Sequence, residues 1–202
     1  NGKTASVEIT VGEGVFNQEF GSGLGKWFVK TGANVSFDGD YMTYNMVLQN
    51  GKYWGDFGLV HQYENHPGKV TVNVGTYRYL AVKMTRPGEY VENNNGKGTL
   101  FLDTSRGRYE QQKGNGNNRY KIWGYDKPAD CPMDEPAVVY FDMQSTFGNN
   151  GYTFPTDKTE ELTIFKFAWA DVPSSYTPIY KLYWVHTFKT LDELKAFVEN
   201  NK

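Results

Sequence analysis

The stretch Tyr41-Met-Thr-Tyr-Asn-Met-Val-Leu48 alternates apolar residues with mostly polar ones. Successive side chains of a β-strand point to opposite faces of the sheet, so every second residue shares a face. The residues that share the apolar face are Met42, Tyr44, Met46 and Leu48. This pattern predicts a strand with one buried face, in a protein whose core is built from such faces.

The same period of two recurs along most of the chain. A second predicted face contains Arg78, Leu80, Val82 and Met84. Strands are predicted near Ser6–Val11, Asn34–Phe37, Tyr41–Val47, Phe57–Tyr63, Lys69–Val74, Tyr77–Thr85, Thr99–Asp103, Arg119–Trp123, Ala137–Asp142, Leu162–Trp169 and Ile179–Thr187. Clusters of Gly and Asn separate them, because these residues adopt the positive φ of tight turns at low cost. The pattern is typical of an all-β domain.

Composition narrows the class of protein. The chain has 202 residues, of which 16% are aromatic, and its net charge is −2 at pH 7. So many aromatic residues exclude a disordered chain, and the absence of a basic excess argues against a nucleic-acid partner. No apolar run approaches the roughly 20 residues of a membrane helix, so we expect no membrane insertion by this chain. Its one cysteine, Cys131, excludes an internal disulfide.

One helix is predicted, at the C-terminal end. Thr190-Leu-Asp-Glu193 has the pattern of a capping box, and an apolar stripe follows it. The stripe contains Leu191, Leu194, Phe197 and Val198. No linker or repeat interrupts the chain, so we predict one domain over residues 1–202, an antiparallel β-sandwich. Its strands run from about 6 to 187 and its helix from about 190 to 200.

Known catalytic patterns are absent. The three histidines, His61, His66 and His186, form no HxH or HExxH pair, and no GxSxG motif exists. The spacing of carboxylates used by jelly-roll β-glucanases is also missing. We therefore expect no enzyme. A glycoside hydrolase or polysaccharide lyase with an atypical pair of carboxylates, at the separation that such enzymes require, stays an alternative.

The residue types instead favour sugar binding. Aromatic rings stack on the C–H faces of sugars, and planar polar groups bond their hydroxyls. Tyr53 and Trp54 follow an Asn-Gly turn, where the core does not need a large ring. Trp123 and Tyr125 share the face of Lys121 in a predicted strand, and lysine is seldom fully buried. Trp27, Trp169 and Trp184 lie in apolar runs and are expected in the core.

Two further candidates lie in a predicted long loop, Ser105–Asn118. There Arg108 could clamp a ligand and Tyr109 could supply a third ring. Long ordered loops on compact domains are often functional. The candidate carbohydrate-binding residues are thus Tyr53, Trp54, Arg108, Tyr109, Trp123 and Tyr125. A structural or adhesin-like module that packs on a partner domain is a further alternative, and it would show a flat apolar patch.

The sequence offers candidate ligands for one cofactor, a structural calcium ion. Sandwich domains can hold calcium through carboxylates and carbonyls, and oxygen ligands suit this ion. The candidate ligands are Glu8, Asp142 and Asp171, although the chain has no EF-hand spacing. No other cofactor is expected.

Several stretches resemble one known family over most of the chain, from about Phe16 to the C-terminus. They are Tyr53-Trp-Gly-Asp-Phe-Gly-Leu59, Val74–Met84, Gly98–Thr104, Val139-Tyr-Phe-Asp142, Phe165-Lys-Phe-Ala-Trp-Ala-Asp171 and Tyr183–Leu194. Together they resemble the C-terminal domains of Bacteroidetes surface lipoproteins that accompany glycan-uptake systems. Those domains are similar to jelly-roll carbohydrate-binding modules of the galactose-binding-like type, and many are described only as domains of unknown function.

The resemblance implies a fold, a partner and a location. The fold is a jelly-roll β-sandwich, and the partner is a poly- or oligosaccharide bound without catalysis. The implied location is extracytoplasmic, at the cell surface or outer membrane, through a lipid anchor outside this chain. Other domains of a larger lipoprotein would lie beside it. The resemblance supplies no fixed binding motif, so the candidate site residues depend on local reasoning alone.

Overall fold

The computed structural model describes residues 16–29, 33–60, 70–85, 97–112, 121–124, 132, 135–145, 153–173 and 179–201. Within these residues the chain forms fourteen strands and one α-helix. They are β1 (Gln18–Glu19), β2 (Phe28–Val29), β3 (Ala33–Phe37), β4 (Met42–Met46), β5 (Leu48–Gln49), β6 (Lys52–Val60), β7 (Thr71–Val72), β8 (Tyr79–Thr85), β9 (Lys97–Thr104), β10 (Gly107–Gln112), β11 (Lys121–Ile122), β12 (Pro136–Asp142), β13 (Glu160–Pro173), β14 (Ile179–Phe188) and α1 (Leu191–Asn200).

The strands form two antiparallel sheets. The first sheet has the order β11-β12-β8-β14-β4-β3, with β1 paired to β14. The second sheet has the order β10-β9-β13-β6-β2, with β5 paired to β6 and β7 paired to β13. The two sheets pack face to face and bury their inner side chains between them.

The strand order is that of a jelly roll. Eight strands carry it: β4, β6, β8, β9, β10, β12, β13 and β14. Taken in chain order, the first pairs with the eighth and the second with the seventh. The third pairs with the sixth and the fourth with the fifth. The prediction of an all-β antiparallel sandwich of the jelly-roll type with a short C-terminal helix is therefore confirmed.

Aromatic side chains fill the space between the sheets. The rings of Phe57 and Phe167 are stacked with their centroids 4.8 Å apart. Trp27 packs edge-on against Phe165 at 5.3 Å. All four residues are buried, and β6 and β13 place three of them side by side. This agrees with the expectation that Trp27 is a core residue.

Helix α1 covers part of the outer face of the first sheet. The hydroxyl of Thr190 accepts the backbone N–H of Glu193 at 3.1 Å, and a carboxylate oxygen of Glu193 accepts the N–H of Lys189 at 2.8 Å. These two bonds are the predicted capping pattern. Leu194 and Val198 are buried against a second hydrophobic cluster on this face, which also contains Trp184. Trp184 is thus buried beneath the helix rather than between the sheets.

Two predicted face assignments are wrong at the strand ends. Leu48 is 47% exposed, because β4 ends at Met46 and β5 begins only at Leu48, so the alternation does not continue through Val47. Arg78 lies just before β8, and its guanidinium bonds to Asp142 instead of sharing the core face of the following strand.

The predicted long loop Ser105–Asn118 is wrong over its first half. Residues 107–112 form β10, an edge strand that pairs with β9 through the short turn at Ser105 and Arg106. The hydroxyl of Thr104 fixes this turn by accepting the N–H of Arg106 at 3.1 Å. Edge strands often carry polar and charged residues, which is why the stretch lacks the alternation of a half-buried strand.

Candidate functional site

The structure divides the predicted site residues among three strands. Tyr53 and Trp54 lie in β6, Arg108 and Tyr109 lie in β10, and Trp123 directly follows β11. Tyr125 lies outside the described residues, as do Glu8, the predicted strand Ser6–Val11 and Cys131. The side chains of Trp169 and Asp171 are also outside the description, so their predicted roles stay predictions.

The candidates in the second sheet do not come together. The strands β6 and β10 are separated by β13 and β9, which places them about 14 Å apart at the usual strand spacing. In β10, Arg108 pairs with Asp103 and Tyr109 pairs with the buried Leu102. Arg108 and Tyr109 therefore occupy positions on opposite faces of the sheet, instead of a common loop. The described backbone thus places four of the predicted residues on two separated strands of the second sheet, and their binding role stays a prediction.

On the first sheet, Trp123 is part of a row of three rings. Trp123 lies 6.5 Å from Tyr140, and Tyr140 lies 6.5 Å from Tyr79, measured between ring centroids. Both pairs are tilted by 58°. All three residues are half-buried. We call this set the ring row.

The strand register explains why these rings share a face. Tyr140 in β12 stands opposite Ala81 in β8, and Ala81 is two positions after Tyr79. The N–H of Trp123 bonds to the carbonyl of Val138, two positions before Tyr140, at 2.8 Å. Residues two apart on a strand share a face, so the row crosses three neighbouring strands on the outer face of the first sheet. The row lies beside helix α1. All three of its rings pack against the hydrophobic cluster that includes the buried side of the helix.

A cation lies over each end of the row. The guanidinium carbon of Arg78 is 5.3 Å from the centre of the Tyr79 ring, and the ammonium of Lys195 is 6.0 Å from the Trp123 ring. Arg78 also forms two hydrogen bonds with the carboxylate of Asp142, at 2.9 and 2.7 Å. The row thus combines apolar ring surface with donors at its ends, which is the chemistry that sugar binding requires.

The phenol of Tyr140, the central ring of the row, stays neutral at physiological pH. Burial raises the pKa of Tyr140, and the neighbouring Tyr79 and Asp142 raise it further. Hydrogen bonding to Asp142 raises the pKa of Arg78, so the guanidinium keeps its charge. The Tyr140 hydroxyl therefore keeps its proton over the whole physiological pH range.

Local sequence patterns do not identify Tyr140 as a binding-site residue. It lies in the run Val138-Val-Tyr-Phe141, where the outer face is as apolar as the inner face because helix α1 covers part of it. Alternation is hidden in such a run. Tyr79 did have a signal, since it lies in a clearly alternating strand, but only the register connects it with Trp123.

Asp142, a candidate calcium ligand, has other partners. Its carboxylate accepts Arg78 through both oxygens, and one oxygen also accepts the N–H of Gln144 at 3.1 Å. Among the described residues no group of three acidic, cysteine or histidine side chains is close enough to hold a metal ion. The calcium site therefore stays a prediction that depends on Glu8 and Asp171.

Two buried carboxylates on the outer face of the second sheet bear on the enzyme alternative. Asp56 in β6 stands opposite Ala168 of β13, and Asp103 in β9 stands opposite Ile164. Strand spacing and rise place their Cα atoms about 16 Å apart. Glycosidases need their two carboxyls at roughly 5 to 9.5 Å, and two short Asp side chains do not close that gap. Asp56 instead bonds to Lys166 at 2.8 Å.

A comparison with protein families assigns the chain. The profile described as Domain of unknown function (DUF4979) matches residues 14–194, nearly the whole sequence. The chain belongs to the DUF4979 family. A comparison with curated protein sequences finds no match. In the described part of this DUF4979 domain, no helix has the length and apolar character needed to cross a bilayer.

The solved structures similar to this DUF4979 domain include three carbohydrate-binding modules. One is the family 11 carbohydrate-binding module of a Clostridium thermocellum cellulase, with 8% identity and a TM-score of 0.43 over 89% of this chain and 96% of that one. Another is TmCBM27, a mannan-recognising module, with 10% identity and a TM-score of 0.39 over 87% and 96%. The third is a family 29 module from Piromyces equi, with 13% identity and a TM-score of 0.33 over 88% and 93%. The jelly-roll assignment itself depends on the strand order of this chain.

Proposed function

We propose that this DUF4979 domain binds a poly- or oligosaccharide and does not cleave it. The observation that carries the proposal is the ring row, in which Trp123, Tyr140 and Tyr79 follow one another at 6.5 Å across three strands. A repeated spacing of rings suits a ligand that repeats along its length. A sugar chain is such a ligand, since each of its units offers a C–H face to a ring.

The ends of the row support the same ligand class. Stacking alone does not fix a sugar in register, whereas hydrogen bonds to its hydroxyls do. Arg78 and Lys195 supply such donors at the two ends of the row. A site that is shallow and wet gives modest affinity, roughly micromolar to millimolar for one domain. Neighbouring domains would raise the effective affinity through avidity.

We also propose an extracytoplasmic location for the domain. It would be held at a bacterial cell surface by a lipid anchor outside this chain, beside other domains of a larger lipoprotein. Support comes from the sequence stretches that resemble surface lipoproteins of glycan-uptake systems, including Val139-Tyr-Phe-Asp142, which contains the central ring of the row. Protease treatment of intact cells tests this location, since a surface protein is digested and a protein inside the cell is protected.

Affinity electrophoresis of the purified domain against a panel of polysaccharides tests the binding. Trp123→Ala removes one end of the ring row, and Trp54→Ala removes a candidate ring from the second sheet. We expect one or more polysaccharides to retard the wild type and Trp54→Ala, and to lose their effect on Trp123→Ala. Circular dichroism of each variant checks that its fold is intact.

Other outcomes would decide between the alternatives. If Trp54→Ala loses retardation and Trp123→Ala keeps it, the ligand binds on the second sheet and the ring row is not the site. If reducing ends accumulate during incubation with the polysaccharide, the domain is a hydrolase rather than a binding module. If no polysaccharide retards the wild type at high loading, the carbohydrate proposal fails.

A further inference from the structure

The guanidinium of Arg78 is held in one orientation at the end of the ring row. Its Nε atom donates to one carboxylate oxygen of Asp142 at 2.9 Å, and its Nη2 atom donates to the other at 2.7 Å. Its side chain nevertheless stays 42% exposed, while that of Asp142 is 13% exposed. The charged group therefore faces solvent on one edge and is anchored on the other.

Asp142 is itself fixed by the turn that follows β12. One of its carboxylate oxygens accepts the N–H of Gln144 at 3.1 Å, and its carbonyl accepts the hydroxyl of Ser145 at 2.7 Å. The side-chain amide of Gln144 reaches the carbonyl of Val74 at 2.7 Å. This network orients Asp142, and Asp142 orients Arg78. Such preorganisation lowers the entropic cost of binding a ligand at the guanidinium.

The guanidinium of Arg78 has more N–H donors than its bonds to Asp142 use. A guanidinium carries five N–H donors, and within the described part of the chain its bonds use two of them. The remaining edge can bond two oxygen atoms that lie side by side. Two adjacent sugar hydroxyls offer this pair of oxygens, and so does a carboxylate of an acidic sugar.

Charge distinguishes these two ligand classes. The negative charge of Asp142 cancels that of Arg78, and at the other end of the row the ammonium of Lys195 lies 3.9 Å from the carboxylate of Asp192. Each of these two ion pairs at the ends of the row is therefore neutral overall. An acidic sugar would gain little attraction from a guanidinium whose charge is already neutralised, whereas hydroxyls need only its directed donors.

We propose that Arg78 is the specificity-determining residue at this end of the ring row, that Asp142 positions it, and that it takes a neutral sugar with two adjacent hydroxyls. This inference rests on the proposed function, because it needs the ring row to be the site. It assigns Arg78 to direct contact with the ligand and Asp142 to an indirect role.

The chain provides a matched control for this pair. Arg106 forms the same two-bond contact with Glu160, with side-chain exposures of 45% and 10% against 42% and 13% for Arg78 and Asp142. Arg106 lies in the turn between β9 and β10 of the second sheet, away from the ring row. Glu160 also lies 3.6 Å from the ammonium of Lys158. Changes at Arg106 and Glu160 therefore perturb a similar ion pair without touching the site.

The experiment measures the dissociation constants of two probes, a neutral galactomannan and the acidic polygalacturonate, for the wild type and variants. We expect the wild type to prefer galactomannan, with an affinity that changes less than twofold between low and moderate salt. Arg78→Lys should weaken the affinity for galactomannan at least tenfold, because lysine lacks the planar guanidinium with its paired N–H donors. Arg106→Lys should leave the affinity unchanged.

The variant Asp142→Asn tests the positioning role by a readout that a loss of stability would not produce. It leaves Arg78 charged but without its neutralising partner, so we expect polygalacturonate to gain at least threefold in affinity. That gain should disappear as salt screens the new charge. Glu160→Gln, the matched change in the second sheet, should produce no gain.

The outcomes separate this inference from the proposed function. If Trp123→Ala abolishes galactomannan binding while Arg78→Lys and Arg78→Ala bind as the wild type does, the row is the site and the role of Arg78 is refuted. A wild type that prefers polygalacturonate, with binding that falls steeply with salt, refutes the neutral ligand. If neither probe binds and no polysaccharide of the wider panel binds, the proposed saccharide binding is refuted, and the role of Arg78 is refuted with it.

Discussion

Replacing the central ring of the row, Tyr140→Ala, should weaken saccharide binding more than replacing either end. Tyr140 is the only member that neighbours both other rings, at 6.5 Å on each side. Its removal leaves Trp123 and Tyr79 as separate platforms with a gap between them. A sugar chain would then lose its middle contact and the register between the two ends.

The size of the effect follows from the exposed part of the ring. A half-buried tyrosine leaves roughly 50 Å² of ring surface for a ligand, which is worth about 1.2 kcal/mol at 25 cal/mol per Å². A hydrogen bond from its hydroxyl adds about 1 kcal/mol. Together these predict a loss of about 2 kcal/mol, or roughly 30-fold in the dissociation constant. Tyr140→Phe keeps the ring and should lose only about fivefold.

Tyr183→Ala is the matched control for this measurement. Tyr183 is also half-buried on the outer face of the first sheet, with a ring neighbour, Tyr41, at 5.3 Å and the ammonium of Lys83 at 5.4 Å. Burial raises its pKa as it does for Tyr140. Isothermal titration calorimetry with a bound oligosaccharide should show normal affinity for Tyr183→Ala. Equal losses in both variants would mean that general destabilisation, and not the row, explains the effect.

Further predictions concern stability and pH. Among the described residues the buried hydroxyl of Tyr44 has no hydrogen-bond partner, so Tyr44→Phe should raise the free energy of unfolding by about 1 kcal/mol in urea titrations. Burial raises the pKa of Tyr44 above its unfolded value, so the wild type should lose stability as pH rises beyond about 10, and Tyr44→Phe should lose less. Thr190→Ala should cost about 1 kcal/mol by removing the helix cap, measured in the same titrations. Saccharide affinity should stay constant between about pH 6 and 9, because the raised pKa of Tyr140 keeps its phenol protonated.

Local patterns predict the elements of this fold better than their arrangement. The alternation of Met42, Tyr44 and Met46 marks a strand with one buried face, and all three are buried. The capping pattern at Thr190 marks the start of the helix. Both signals depend only on neighbours in the chain. The strand β10 has no such signal, because an edge strand contributes little to the core.

The candidate site depends on pairings that no local pattern contains. The sequence predicts Trp123 as a binding ring because lysine shares its face, whereas it does not single out Tyr79 or Tyr140. Only the pairing of β12 with both β8 and β11 brings Trp123 and Tyr79 to either side of Tyr140. The jelly-roll order joins strands distant in sequence, which local periodicity cannot specify. The predicted loop around Arg108 and Tyr109 is wrong for the same reason, because the pairing of β10 with β9 is not visible in the local sequence.

Helix α1 divides the outer face of the first sheet into two aromatic margins, and their polar groups separate their roles. On the margin away from the ring row, the hydroxyl of Tyr41 donates to Asp38 at 2.8 Å, and the ammonium of Lys83 donates to the carbonyl of Asn201 at 3.0 Å. These bonds hold the β3–β4 turn and the end of the helix, so their donors serve the fold. On the ring-row margin, the anchored guanidinium of Arg78 keeps an exposed edge. A ligand can bond only to donors that are not already used within the protein. This favours the ring row over the opposite margin as the binding site.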